Sequence, residues 1–149
     1  MIELIVVGRP KSLQSSTRSL DGWRQSVEEA ARATIPHGPV YETGPVHACF
    51  HWFCDVSAAR IPDLDNVLKP TFDALQALVF ADDYQLTDIR AARIDLNSLS
   101  RDRSIAADWE SWPTKLVSHF VLAEKLEEFV YLQIVDPPNL LEAPWLPQH

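Results

Sequence analysis

The stretch Val46-His-Ala-Cys-Phe-His-Trp-Phe-Cys-Asp-Val56 decides the fold class. Val46, Ala48, Phe50, Trp52, Cys54 and Val56 fall on one side of an extended chain, and His47, Cys49, His51, Phe53 and Asp55 on the other. A period of two held this long predicts a half-buried β-strand. Downstream the period changes. Leu64, Val67, Leu68, Thr71, Phe72, Leu75 and Leu78 recur at three- and four-residue steps, which predicts an amphipathic helix over 64–78. Asn66, Lys69, Asp73 and Gln76 occupy its other side. Asp88 to Leu96 then reads as a second strand, so a strand–helix–strand unit sits at the centre of the chain.

Working outward, Ile2 to Val7 form an opening strand closed by Gly8 and Pro10. Residues 9–20 read as a polar loop, and Asp21 as the cap of a helix over 22–35. Residues 97–112 are polar and loop-like, a second amphipathic helix fits 114–127, and Phe129 to Val135 make a last strand. The expected architecture is α/β: a single compact domain with a small mixed β-sheet and helices. It spans 1–136, and a Pro-rich C-terminal tail occupies 137–149 with prolines at 137, 138, 144 and 147. Pro70 lies inside the helical pattern of 64–78. It has no N–H for the carbonyl of Asn66, so an irregular or late first turn is expected there.

The 149 residues suffice for one core without staples. The net charge is −8 and unevenly spread: residues 1–103 hold 11 Lys+Arg against 14 Asp+Glu, residues 104–149 hold 2 against 7. That balance argues against broad attraction to phosphate backbones and confines any nucleic-acid surface to the first two-thirds of the chain. Cys49 and Cys54 would point to opposite faces of their strand and cannot pair. Two thiols of this kind suit a reducing compartment, and no stretch approaches the roughly 20 apolar residues of a membrane span. The opening apolar run is too short for a secretory signal, so the expected location is cytoplasmic.

The chemistry-bearing segment runs Pro62-Asp-Leu-Asp-Asn-Val-Leu-Lys-Pro70, then Asp73-Ala-Leu75, then Phe80-Ala-Asp-Asp-Tyr-Gln85. Asp63 and Asp65 stand two apart where a loop enters a helix, and Asp82 and Asp83 lie beyond the other end of that helix. For all four to meet, the helix must be short, or another segment or a second subunit must join the ends. Carboxylates gathered about 4 Å apart repel by roughly 4 kcal/mol at an effective dielectric of 20, so a true cluster holds a cation or a proton. Mg²⁺ takes such hard oxygen ligands together with substrate phosphate. A plainer reading competes: Asp-x-Asp-Asn is also capping chemistry, Asp-Asp an ordinary turn, and Lys69 a helical partner for Asp65 or Asp73.

Together these residues resemble the RusA family of Holliday junction resolvases. The resemblance rests on Pro62-Asp63-Leu64-Asp65-Asn66-Val67-Leu68-Lys69, on Asp73-Ala74-Leu75, and on Val79-Phe80-Ala81-Asp82-Asp83-Tyr84-Gln85. It is close over 62–96 and looser at Gly8-Arg9-Pro10. It implies a structure-selective endodeoxyribonuclease that hydrolyses phosphodiesters of a four-way DNA junction as a homodimer. By this resemblance Asp63, Asp65 and Asp83 bind Mg²⁺ (or Mn²⁺) with Asp82 beside them, and Lys69 supplies the catalytic charge. Arg9, Lys11, Arg18 and Arg60 are the candidate DNA contacts. The chain departs from the family pattern in having Ala77 where glycine is usual, at a position that needs a tight backbone turn. It also has Ile61 before the first motif acids, where basic residues are common. These departures and the acidity motivate the alternative, a catalytically inactive binding protein on the same fold.

Among the remaining residues, His47 and His51 share a strand face without a third ligand nearby and read as a surface or interface pair. Trp52 reads as core, while Trp109, Trp112 and Trp145 read as interface cover.

Overall fold

A computed structural model describes residues 1–101, 109–123 and 127–137. Its elements run β1 (Ile2–Val7), α1 (Thr17–Thr34), β2 (Val46–Cys54), α2 (Leu64–Leu75), β3 (Leu86–Asp95), α3 (Leu96–Arg101), α4 (Thr114–Leu122) and β4 (Phe129–Val135). Short 3₁₀ turns occupy Asp83–Gln85 and Trp109–Ser111. The strands form a mixed sheet in the order β1-β4-β2-β3. β4 is antiparallel to both β1 and β2, and β2 and β3 are parallel. β1, β2 and β3 therefore point the same way. Gly8, Asp55 and Asp95 follow or end these strands along one margin of the sheet, while the Asp82–Asp83 turn precedes β3 at the opposite margin. The α/β, single-sheet expectation holds.

The alternation in β2 sorts the core. Leu4, Val6, Ala48, Phe50, Trp52, Val130, Leu132 and Ile134 pack with Trp23, Val27 and Ala31 of α1 and Val67, Phe72 and Leu75 of α2. The indole N–H of Trp23 donates to the hydroxyl of Thr71 at 3.0 Å and joins the two helices. The other face is not open, as a half-buried strand would require. Phe53, Phe129, Tyr131 and Ile94 lie under Trp112 and Leu116, with Phe120 packed against them. β2 is buried on both faces because residues some sixty positions downstream cover it. His51 is thus 1 % exposed rather than a surface histidine, and its ring stacks on Tyr131. Burial pushes its pKa down to about 4. Trp112 belongs to this second core instead of an interface.

Several boundaries differ from expectation for local reasons. α1 starts at Thr17, because Ser16 caps it by accepting the N–H of Ser19, and Asp21 lies one turn inside. The opening residues 97–101 of the expected loop belong to α3. β2 ends at Cys54, where Asp55 turns the chain by accepting from Ser57. α4 ends at Leu122 and α2 at Leu75. Trp145 and the Pro-rich tail from 138 onward lie outside the described residues. Cys49 and Cys54 are free and buried, and no helix among the described residues is long and apolar enough to cross a membrane.

Candidate nuclease site

α2 begins immediately after Asp63, despite Pro70 within it. An irregular first turn is avoided because the carbonyl that Pro70 leaves open finds another donor. The N–H of Leu13 reaches the carbonyl of Asn66 at 3.3 Å, so the basic loop after β1 is pinned to the first turn of the acidic helix. A residue that interrupts the helix ladder thereby joins Lys11 and its neighbours to the segment carrying Asp63 and Asp65.

Asp63 holds the N-cap position, but its side chain makes no cap hydrogen bond. Asp65 is exposed in the first turn, two residues on. Both carboxylates stand at the positive end of the helix dipole, and among the described residues no protein donor is bonded to either. Asp82 behaves differently. It caps the 3₁₀ turn by accepting the N–H of Tyr84 at 3.3 Å, and Gln85 returns its Oε1 to the N–H of Asp82 at 2.9 Å. Asp83 sits exposed in that turn. The capping reading is therefore true of Asp82 and fails for Asp63.

α2 is 12 residues long, so its ends are about 18 Å apart. The Asp63–Asp65 pair lies at one end and the Asp82–Asp83 pair beyond the other, across the β2-α2-β3 crossover. A single copy does not gather the four. Among the described residues no group of three or more His, Cys, Asp or Glu could hold a metal ion. What one copy does offer is an unengaged carboxylate pair, which suits a cation bound through one or two carboxylates, water and phosphate.

Lys69 pairs with Asp73 at 3.0 Å, four residues along the helix. Its side chain is 60 % exposed, so the pair is worth well under about 1 kcal/mol and yields easily to a phosphate. The basic candidates divide. Arg9 is bound through Nε and Nη2 to both carboxylate oxygens of Glu128, at 2.8 and 2.6 Å. Lys11 is half-buried, Arg18 is exposed on α1, and Arg60 is exposed with φ of 60° in the loop leading to Asp63.

Sequence reasoning missed two supports of this region. Gln85 is 1 % exposed, and its Nε2 donates to the carbonyl of Gly44 at 2.9 Å and more weakly to that of Tyr41 at 3.4 Å. It thereby ties the Asp82–Asp83 turn to the segment before β2. The signal was present: Asp82 followed three residues later by Gln85 is a capping-box spacing. The second is a net at the far margin. Asp55 accepts from Ser57 and from the amide of Asn97 at 2.9 Å, while Asp95 accepts the N–H of Asn97 at 3.2 Å. Hydrogen bonds from Ser57 hold the Asp55 carboxyl below the usual range. Nothing in the sequence marks these residues, which meet only because β2 and β3 run parallel.

The backbone also explains one departure from the motif. Ala77 has φ of 63°, left-handed geometry that glycine adopts freely. The tight turn expected there is real, and this chain makes it with a Cβ in place.

Comparison with known families places the chain in the class of nucleic-acid hydrolases. The family model described as Endodeoxyribonuclease RusA matches residues 8–101. The chain belongs to the RusA endodeoxyribonuclease family, as its motif suggests, and that membership supports a nuclease. No curated protein matches the chain.

Proposed function

We propose that this protein is a Mg²⁺-dependent, structure-selective endodeoxyribonuclease that resolves four-way junctions by hydrolysing phosphodiesters. The observation that carries the reading is the uncapped Asp63 carboxylate beside exposed Asp65 at the N-terminus of α2. Asp63, Asp65 and Asp83 would hold Mg²⁺, with Mn²⁺ as a substitute and Asp82 keeping the turn that presents Asp83. The bound cation supplies activation of water and charge neutralisation at the attacking and leaving oxygens. Lys69 releases Asp73 and places its ammonium against the phosphate as negative charge develops. Lys11, Arg18 and Arg60 contact backbone phosphates, while Arg9 contributes by anchoring the loop root to Glu128 rather than as a free cation.

The protein acts as a homodimer. The placement of the two acid pairs beyond opposite ends of α2, a helix about 18 Å long, supports this, since a two-fold partner can set its Asp82–Asp83 turn beside the Asp63–Asp65 pair. Two such sites suit paired cuts in a branched substrate. The unpaired cysteines are consistent with a cytoplasmic location. A non-catalytic binding role on the same fold is the competing reading, favoured by the −8 charge and by the closure of Arg9 on Glu128.

Thermal melting with and without Mg²⁺ or Mn²⁺ separates the two. A cation at about 100 times its Kd adds about 2.7 kcal/mol to the folded state, and Asp65→Asn removes that shift. Equal responses of wild type and Asp65→Asn would overturn the metal site.

A further inference from the structure

β3 borders the sheet and carries two arginines on opposite faces. Arg90 stands opposite Cys49 and is paired with Asp88 at 3.6 Å. Arg93 stands opposite Trp52, with its guanidinium carbon 5.6 Å from the centroid of the indole ring. Trp52 is fully buried, so its ring forms a packed platform under a solvent-exposed cation. Among the described residues no carboxylate lies within 4 Å of Arg93.

The position matters as much as the charge. Arg93 is two residues from the end of β3, at the margin from which the chain leaves β2 for Arg60, Asp63 and α2. It shares the sheet face of Trp52, the face on which α2 packs. Arg9 follows the end of β1 and Arg93 lies near the end of β3, so both stand on the sheet margin where β2 ends. Arg9 is neutralised by Glu128, whereas Arg93 is not.

We propose that Arg93, laid on the Trp52 ring, is a substrate-binding residue that takes a DNA backbone phosphate beside the Asp63–Asp65 end of α2. This rests on the nuclease reading. A planar guanidinium on an aromatic face gives up little freedom when it forms two parallel hydrogen bonds to phosphate oxygens.

The test is fluorescence anisotropy of a labelled four-way junction with the full chain, in Ca²⁺ buffer over a time in which the DNA stays intact, at several salt concentrations. Arg93→Ala is expected to weaken binding about tenfold and to lower the slope of log K against log salt by about 0.9, one phosphate contact. Arg93→Lys should keep the slope and recover part of the affinity. Arg32→Ala, on the exposed last turn of α1, should change neither. A purely structural role would lower the melting temperature of Arg93→Ala and leave the salt slope alone, and that result overturns the proposal. Wild type binding with Arg93→Ala unchanged also overturns it while sparing the nuclease reading. Failure of wild type to bind any junction overturns both.

Discussion

Replacing Gln85 with alanine removes a side chain that holds its own turn to the 41–44 segment. Its Oε1 accepts the N–H of Asp82, and its Nε2 donates to the carbonyls of Gly44 and Tyr41. Two of these bonds are 2.9 Å long and the third is 3.4 Å, so the third counts for little. At a net value near 1 kcal/mol for each good bond, and somewhat more where a buried partner is left unpaired, the loss is about 2–3 kcal/mol. In a chain of 149 residues that lowers the melting temperature by about 5–10 °C, read by circular dichroism. Gln85→Glu keeps the acceptor and turns the donor into a second acceptor facing Gly44, so at neutral pH it should cost at least as much. A melting temperature within about 1 °C of wild type for both variants would refute the reasoning, because it would mean that the 41–44 segment and the Asp82 turn hold their places without Gln85.

Two further predictions follow from single residues. Ala77→Gly relieves left-handed strain of about 1 kcal/mol and, after the added freedom of the unfolded chain, should still raise the melting temperature; a fall would show that the Cβ of Ala77 makes a contact worth more than the strain. His51 is held neutral by burial, with its pKa lowered from 6.5 to about 4. The unfolded chain therefore takes up the proton first. Stability from this group is complete above about pH 6.5 and is lost progressively as pH falls toward 4, by about 3 kcal/mol in all. Denaturant titrations across that window should show wild type losing about 3 kcal/mol relative to His51→Phe as pH falls from 6.5 toward 4, and a pH-independent difference between the two would contradict the assignment.

Much of the fold was legible because period and composition agreed. β1 and β4 appear with the bounds expected of their apolar runs, and the alternation of β2 sorted its side chains to the correct faces. The cover over the second face was not legible, since Trp112 and Leu116 reach Phe53 from far along the chain. The start of α1 was missed because serine and aspartate are both good caps, and only the bond from Ser19 to Ser16 distinguishes them. The same ambiguity ran through the acidic motif. Asp63 and Asp82 are alike in sequence, yet one is spent on a turn and the other is left unengaged. Pro70 argued for a broken first turn because the sequence cannot show that Leu13 supplies the missing donor.

Cleavage of an end-labelled synthetic four-way junction by wild type and Asp65→Asn, with Mg²⁺ or Mn²⁺ and with neither, tests the central claim most directly. The account predicts paired, symmetric nicks that require the metal and disappear in Asp65→Asn. No cleavage by folded wild-type protein under either metal, or equal cleavage by Asp65→Asn, would contradict it.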